Sequence, residues 1–230
     1  SAAEAHGAAE APKTATHDVH WGYDGAGGPD RWGDLAPENL VCKAGANQSP
    51  IDLATTQPGV GGRTTIKWQP AALAVQNNGH TIQADVAGGG AILLDGQTFD
   101  LVQFHFHTPS EHTVNGKRFA METHFVHKNA KGDLAVVGVL HEAGAENAAL
   151  APLWSALPKT TAEKKAVPGF DCTTLLPKDQ SMFRYSGSLT TPPCTEGVRW
   201  QVIGAPSTVS EAQVKAFTEI IKPNARPVQP

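Results

Sequence analysis

Five of the ten histidines in this 230-residue chain lie between positions 105 and 127, close enough together to form a metal site. In the segment Gln103–His107 the two-residue period of a β-strand puts His105 and His107 on one face and two phenylalanines on the other. The imidazoles then converge while the phenyl rings anchor the strand in the core. Two histidines at this spacing are by themselves a weak signal for a metal site, because many strands carry two histidines on a solvent face. The flanking phenylalanines strengthen the prediction that His105 and His107 bind a metal.

The segment Met121–His127 supplies a third imidazole. Strand periodicity places Glu122, His124 and Val126 on one face and turns His127 to the other. Three neutral imidazoles fit Zn²⁺, and three protein ligands leave the fourth tetrahedral position open, as in catalytic zinc sites. Glu122 can fix the tautomer of a ligand imidazole, the alternative being a surface glutamate. The spacing therefore predicts a catalytic zinc site.

Short alternating or apolar segments, separated by Gly, Asn and Pro turn signals, must position these side chains. The predicted strands span residues 64–68, 73–76, 91–94, 98–107, 119–127 and 134–141. Turns at Asn77–His80 and at Asn115-Gly116 suit connections that need positive φ, which favours antiparallel neighbours.

Two peripheral helices are predicted, over 146–157 and over 210–222. Pro158 and Pro223 end them, and a capping box of Ser210 and Gln213 opens the second. The predicted fold class is mainly β (α+β), a single domain with a large central twisted, mostly antiparallel sheet and peripheral helices.

Length and composition point to one domain that acts on a small molecule. Residues 1–16 are rich in Ala, Glu and Pro without large apolar residues, which predicts a flexible N-terminal tail before a catalytic domain at 17–230. A net charge of −4 and a pI near 6.2 argue against nucleic acid or anionic membranes as partners. The longest apolar run, 134–140, is too short for membrane insertion, which needs about 20 residues.

The three cysteines, Cys42, Cys172 and Cys194, lie too far apart for a CxxC motif. Their odd number allows one disulfide with a free thiol, or three buried thiols that behave as small hydrophobic residues. Composition leaves this choice open.

Several motifs in consistent order resemble the α-class carbonic anhydrases. They are Trp21-Gly22-Tyr23, Asn47-Gln48-Ser49-Pro50, Asn77–His80, Gln103–His107, Ser110–Val114, Glu122–His127 and Ser188–Cys194. The resemblance runs from about His20 to Pro230, and the cysteine pattern is similar to that of the bacterial exported branch. It implies a carbonic anhydrase that reversibly hydrates carbon dioxide to bicarbonate and a proton by zinc-hydroxide attack.

The resemblance assigns the zinc ligands to His105, His107 and His124, the three residues that strand periodicity also selects. Zinc lowers the pKa of its water to about 7, a value established for carbonic anhydrase itself. Thr190 is implied to accept a hydrogen bond from the hydroxide and to donate one to Glu111, which would aim a lone pair at the substrate carbon. Without the resemblance, Thr190 reads as a turn residue.

His80 follows Asn78-Gly79 and matches the proton shuttle of the family. An unperturbed imidazole has a pKa near 6.5, close enough to that of zinc-bound water to pass protons both ways. An exposed turn histidine is the alternative. The polar side of the cavity is implied to carry Asn77, Asn78 and Gln83, which order solvent, and Gln103, which orients a ligand imidazole. Gln83 stands where relatives often carry another residue.

Carbon dioxide is apolar, so its pocket should be an apolar wall beside the zinc. The residues that match this wall are Val126, Val136, Leu189, Val198 and Trp200. Thr191 is implied to contact bicarbonate from the other side. Ordinary core packing is the alternative for each apolar residue, and for Val136 in particular.

The resemblance also implies a disulfide between Cys42 and Cys194 that tethers the loop carrying Thr190. It implies a periplasmic or secreted protein whose signal peptide has been removed. Cys172 is then unpaired, either buried or available to a second chain, which leaves a homodimer open. The competing functions are a catalytically silent binding module on the same fold and a zinc hydrolase acting on esters.

Overall fold

The structure is a computed structural model that describes residues 19–54 and 63–230, so the predicted tail at 1–16 lies outside it. Its strands are β1 (Asp52–Leu53), β2 (Thr64–Trp68), β3 (Ala71–Asn77), β4 (Ile82–Ala87), β5 (Gly90–Leu94), β6 (Gln97–His107), β7 (Thr113–Val114), β8 (Lys117–Arg118), β9 (Met121–Lys128), β10 (Leu134–Ala143), β11 (Lys164–Phe170), β12 (Met182–Ser188) and β13 (Glu196–Val209). Its α-helices are α1 (Trp32–Leu35), α2 (Val41–Ala44), α3 (Ala151–Trp154) and α4 (Glu211–Thr218).

Ten strands form one large sheet whose main path runs β11-β3-β4-β6-β9-β10-β13-β12, with β5 joining β2 to β6. All neighbours on this path are antiparallel except β10 and β13. A small second sheet holds β1, β7 and β8. The prediction of a mainly β fold with a mostly antiparallel sheet is confirmed.

The histidine-bearing strands β6 and β9 lie side by side near the middle of the sheet. Phe104, Phe106 and Phe125 pack into the larger apolar cluster on one face, where the rings of Phe104 and Phe125 have centroids 5.2 Å apart. His127 lies on that face too, and its Nε2 accepts a hydrogen bond from Trp68 Nε1 at 3.0 Å. The opposite face carries the remaining histidines of these strands.

The two predicted helices are both shorter than expected. The segment 146–157 forms only a 3₁₀ turn, Ala148–Leu150, followed by α3. Pro152 explains this, because it lacks the N–H that would bond to the carbonyl of Ala148 in a continuous helix. Helix α4 opens with the predicted capping box of Ser210 and Gln213 but ends at Thr218, before Pro223.

The sequence prediction also missed four strands of the large sheet, β4, β11, β12 and β13, and the three two-residue strands of the small sheet. The longest of them, β13, is interrupted in sequence by Gly197, Gly204 and Pro206, which weaken any strand pattern. The predicted turns agree with the structure, since Gly79 and Gly116 have φ of 87° and 79°. None of the helices in the described ranges is long and apolar enough to cross a membrane.

Candidate active site

The imidazoles of His105, His107 and His124 meet on one face of the sheet. His105 lies directly opposite His124 in the register of β6 and β9. One ring nitrogen of each residue lies within 4.8 Å of those of the other two. The predicted convergence of three imidazoles is therefore present in the structure.

Each of the three rings has its other nitrogen bound to a fixed acceptor. His105 Nδ1 donates to Gln103 Oε1 at 2.8 Å, and His107 Nδ1 donates to the carbonyl of Asn224 at 2.8 Å. His124 uses the opposite nitrogen, Nε2, which lies 2.7 Å from the carboxylate of Glu122. These bonds select the tautomers that leave one lone pair per ring facing the centre of the cluster.

Burial keeps these imidazoles neutral. It lowers the pKa of all three below the usual value of a histidine, and that of His107 to about 4. A neutral imidazole keeps the lone pair that a metal ligand needs. The three side chains therefore present a preformed set of nitrogen ligands at neutral pH.

Glu122 is fully buried, which excludes the alternative of a surface glutamate. Its Oε1 accepts from the backbone N–H groups of Glu111 and His112 at 2.9 and 2.8 Å. Its Oε2 also lies 2.8 Å from Nδ1 of His112. Although burial raises the pKa of this carboxyl, the neighbouring His112 and His124 outweigh that effect and hold it well below its usual range. The carboxylate is thus fixed behind the cluster by several donors.

The second carboxyl group, Glu111, is also buried and lies nearer to the other ring nitrogen of His124. Its Oε2 accepts from the backbone N–H of Arg226 at 2.9 Å, and it forms a side-chain hydrogen bond with Thr190. Its Oε1 lies 3.3 Å from His107 Nε2 and 3.9 Å from His124 Nδ1. Burial raises the pKa of this carboxyl to about 7. Glu111 and Thr190 are therefore joined beside the histidines, and the roles that the resemblance implies for them stay predictions.

The five residues predicted to form the apolar wall all belong to one apolar cluster on the histidine face of the sheet. The Trp200 ring lies 4.9 Å from that of His124, centroid to centroid. Leu53 and Phe119 pack in the same cluster, so wall residues also serve as core. Thr191 is half-buried, and its carbonyl accepts from the N–H of Cys194 at 2.9 Å.

His80 is half-buried and stacks on Trp21, with ring centroids 3.6 Å apart and planes 9° from parallel. Burial, together with the nearby His20, lowers its pKa. Asn78 Oδ1 accepts from the backbone N–H groups of His80 and Thr81, both at 2.9 Å. His80 is thus held at the end of a turn rather than projecting freely into solvent.

The amides predicted to order solvent on the polar side also have structural partners. Asn77 is buried, donates to the carbonyl of Pro158 at 3.3 Å and accepts from the N–H of Gly79 at 2.8 Å. Gln83 lies opposite His105 in the sheet and donates to Asp85 at 2.8 Å. Asn77 therefore helps to build the turn that carries His80, and its part in ordering solvent stays a prediction.

Cys42 and Cys194 form a disulfide across 152 positions of the sequence, the pairing that the motif resemblance implied. Gln48 Nε2 donates to the carbonyl of Cys194 at 3.1 Å, which holds the same loop from a second side. Cys172 is fully buried, and burial raises the pKa of its thiol to about 12. Of the two alternatives for this cysteine, the structure favours the buried thiol.

Comparison with known proteins assigns this arrangement to a family. The model of the eukaryotic-type carbonic anhydrases matches residues 27–229. A carbonic anhydrase from Neisseria gonorrhoeae is 43% identical over 92% of this chain and 85% of that protein, and one from Klebsiella pneumoniae is 47% identical over 92% and 87%. The solved α-carbonic anhydrase of Thermovibrio ammonificans, in complex with the inhibitor sulfanilamide, superimposes with a TM-score of 0.86 at 45% identity, covering 92% of this chain and 95% of that one.

This chain belongs to the eukaryotic-type carbonic anhydrase family. The prediction of an α-class carbonic anhydrase of the bacterial kind is confirmed, and with it the prediction of an enzyme. The reaction that membership supports is the hydration of carbon dioxide.

Two residues at this carbonic anhydrase site were not identified from the sequence. Asn224 is buried, and besides its carbonyl bond to His107 its side-chain Nδ2 donates to the carbonyls of His80 and Phe106, both at 3.0 Å. It thereby joins the turn of His80 to the strand that carries two of the histidines. No spacing signal in the sequence identifies it.

The second is Arg226, whose backbone N–H holds Glu111. Its guanidinium donates to the carbonyls of Ser49 and Cys42 at 2.8 and 2.9 Å. A buried arginine near the C-terminal end of the sequence could have been suspected only from its charge among apolar neighbours. Its contacts connect Glu111 to the region of the disulfide.

Proposed function

We propose that this carbonic anhydrase hydrates carbon dioxide at a zinc ion held by His105, His107 and His124. The observation that carries the proposal is the set of three neutral imidazoles, two buried and that of His105 partly exposed, whose free nitrogens lie within 4.8 Å of one another. Each ring is locked in the required tautomer by a different partner. A site of three imidazoles is the ligand set of catalytic zinc, which keeps one coordination position for water or substrate.

The residues present fit a cation at this position. His107 Nε2 and Glu111 Oε1 are buried and have no hydrogen-bond partner among the described residues. Unpaired buried polar atoms are costly, and a cation held at the lone pairs of the three imidazoles would satisfy His107. When bound, zinc supplies Lewis acidity and a water ligand whose pKa is near 7 in carbonic anhydrase.

Thr190 is proposed to orient the attacking oxygen. A hydroxyl group has one hydrogen to donate, and in this site Thr190 would donate it to Glu111. Its oxygen then offers only lone pairs toward the histidines, so it accepts a hydrogen bond from the nucleophile and fixes the direction of the remaining lone pair. A nearby dication would favour the ionised form of Glu111 that this arrangement requires.

The apolar wall is proposed to hold carbon dioxide beside the histidines. Val198 and Trp200 are buried on the same face as His124, and Val126 and Leu189 are partly exposed on it. An uncharged substrate with little dipole gains from apolar contact and loses little hydration on entering. Thr191, next to Thr190, is proposed to contact bicarbonate at the edge of this pocket.

His80 is proposed to carry the proton between the site and solvent. The residue is half-buried and its ring stacks on Trp21, so the imidazole can still exchange protons with solvent. Asn77, Asn78 and Gln83 surround the same turn and strand and are proposed to order the intervening solvent. A histidine accepts and releases protons near neutral pH at little cost.

Export to the periplasm or beyond the cell is supported by the disulfide between Cys42 and Cys194. Disulfides persist in oxidising compartments and are rare in the cytosol of mesophiles. The oligomeric state, including the homodimer, stays a prediction.

Metal analysis combined with stopped-flow carbon dioxide hydration tests the proposal. We expect one zinc per chain, loss of hydration after treatment with a chelator, and recovery when zinc is restored. Turnover of an activated ester, measured in the same preparations, should be lost and recovered in parallel but remain a minor activity. A protein without zinc, or hydration that persists after zinc removal, would overturn the assignment.

A further inference from the structure

A cavity of about 190 Å³ lies away from the histidine cluster, at the edge of the sheet formed by β12 and β13. Its lining includes Leu94, Asp95, Arg184, Ser186, Arg199 and Gln201. In the register of the two strands Arg184 faces Gln201 and Ser186 faces Arg199, so these four side chains share one face of the sheet. Tyr185 and Trp200 also border the cavity, although the Trp200 ring packs against His124 on the histidine face.

The cavity carries an excess of positive charge. Arg184 donates to Thr64 Oγ1 and its guanidinium nitrogen lies 3.8 Å from a carboxylate oxygen of Asp95. Arg199 packs its guanidinium 5.9 Å from the centroid of the Phe99 ring and forms no ion pair or side-chain hydrogen bond within residues 19–54 and 63–230. The lining thus holds two guanidinium groups and one carboxylate, and this excess of positive charge favours an anion in the cavity.

Gln201 adds a requirement for a hydrogen-bond donor. Its side chain is 1% exposed, and Nε2 donates to the carbonyl of Arg199 at 2.8 Å. Its Oε1 is buried without a partner among the described residues. A buried amide oxygen is normally paired, and Gln201 lines the cavity, so an occupant that donates a hydrogen at this residue would satisfy the oxygen.

We propose that this cavity binds a small oxyanion that keeps a hydroxyl hydrogen, the chemistry shared by hydrogencarbonate and dihydrogen phosphate. The anionic oxygens would accept from the guanidinium groups of Arg199 and Arg184, and the O–H would donate to Gln201 Oε1. Hydrogencarbonate is also the product of the family's reaction, so the enzyme is exposed to it during turnover. The site is separate from the histidine cluster and needs none of its residues.

Titration followed by ¹⁵N–¹H NMR tests the proposal on the wild-type protein. The probes are sodium hydrogencarbonate at pH 8, sodium phosphate at pH 6, and sodium nitrate at both values, all at constant ionic strength. Nitrate is a planar oxyanion without a hydrogen to donate. We expect saturable shifts at the Nε–H of Arg199 and at the Gln201 side-chain amide with hydrogencarbonate or phosphate, and at least tenfold weaker binding of nitrate.

Three variants separate charge from hydrogen bonding. Arg199→Gln should weaken oxyanion binding about tenfold, whereas Arg31→Gln, which removes one exposed arginine elsewhere, should not change it. Gln201→Leu should abolish the preference over nitrate, and its spectrum outside the cavity should remain that of the folded protein. Shifts that never saturate, equal binding by Arg199→Gln, or equal affinity for nitrate would overturn the proposal.

The same titration after zinc removal distinguishes this site from the proposed catalytic one. Binding in the cavity should persist with the chelator present, while carbon dioxide hydration should be lost. Arg199→Gln should in turn keep kcat/KM for hydration. Loss of the shifts on zinc removal would place the anion at the histidines and refute the second site.

Discussion

The carbonyl of Asn224 accepts the Nδ1–H of His107 at 2.8 Å, across 117 positions of the sequence. This bond fixes the ring so that Nε2 faces the centre of the histidine cluster. The same residue holds the strand of His107 and the turn of His80 through its side chain. One buried asparagine thus connects the parts of the protein proposed to bind zinc and to move the proton.

Replacing Asn224 by Ala should therefore destabilise the fold and loosen the site together. The change removes a donor from the carbonyls of His80 and Phe106, of which Phe106 keeps the Thr81 hydroxyl, and it leaves the N–H of Thr108 without its acceptor. We expect the free energy of unfolding to fall by about 3 kcal/mol, since each unpaired buried group costs about 1–3 kcal/mol, and zinc to bind more weakly. Urea denaturation and zinc titration measure both effects. Asn47→Ala, at an exposed position, is the matched control and should change stability by less than about 0.5 kcal/mol.

The assignment of faces predicts different outcomes for two histidines of the same region. His107→Ala should remove most zinc affinity, because it deletes one of three ligands. His127→Ala should reduce stability instead, because His127 bonds Trp68 and the carbonyl of Ala135 on the other face. Zinc dissociation constants and urea midpoints of the two variants provide the comparison. Equal loss of zinc in both would show that the face assignment is incorrect.

Glu122 should influence zinc through His124 without touching the metal. Glu122→Ala should weaken zinc binding or activity about 10–100-fold, the usual effect of losing a carboxylate behind a metal ligand. Glu122→Gln keeps the shape of the side chain and is the better test of charge, with a smaller expected loss. Competition with a chromophoric chelator measures the affinity. Unchanged affinity and activity in both variants would contradict the role.

Stability should fall in mild acid because His127 and His141 are buried as neutral imidazoles. Burial lowers the pKa of each to about 4, against a pKa near 6.5 in the unfolded chain. Their contribution to the free energy of unfolding is complete above pH 6.5. It is lost as the pH falls from 6.5 toward 4, because the unfolded state then binds more protons than the folded state. In this window each residue should add about 1.4 kcal/mol per pH unit to the slope of the unfolding free energy against pH.

The variant His127→Gln isolates one of these contributions. Gln can still accept the hydrogen of Trp68 Nε1 but does not titrate. The slope of unfolding free energy against pH should therefore decrease by about 1.4 kcal/mol per unit between pH 6 and pH 5. Urea denaturation at several pH values measures it, and an unchanged slope would mean that His127 already titrates normally in the folded protein.

His80 should affect proton transfer but not the attack on carbon dioxide. His80→Ala should lower kcat while leaving kcat/KM nearly unchanged, because only regeneration of the site depends on the shuttle. A diffusible imidazole buffer should restore much of kcat. If kcat and kcat/KM fell together, or buffer had no effect, His80 would be a structural residue of its turn, a role that its stacking on Trp21 would also support.

The histidine cluster could be predicted because strand periodicity is local. Once Phe104 and Phe106 are assigned to the core, His105 and His107 must face the other way. The short helix α3 could also have been anticipated, since Pro152 is visible in the sequence. Asn224 and Arg226 could not, because their bonds cross more than a hundred positions and depend on where the chain returns.

The contacts of Asn224 and Arg226 also determine when the site can form during folding. Strands β6 and β9 can pair early and bring three imidazoles together, but the carbonyl that orients His107 comes from a segment about 100 positions after His124. That segment is itself held by the carbonyls of Cys42 and Ser49, from the opposite end of the described chain. High metal affinity would therefore be acquired only after both ends of the domain have docked. A newly synthesised chain would then acquire tight metal binding as one of the last events of folding.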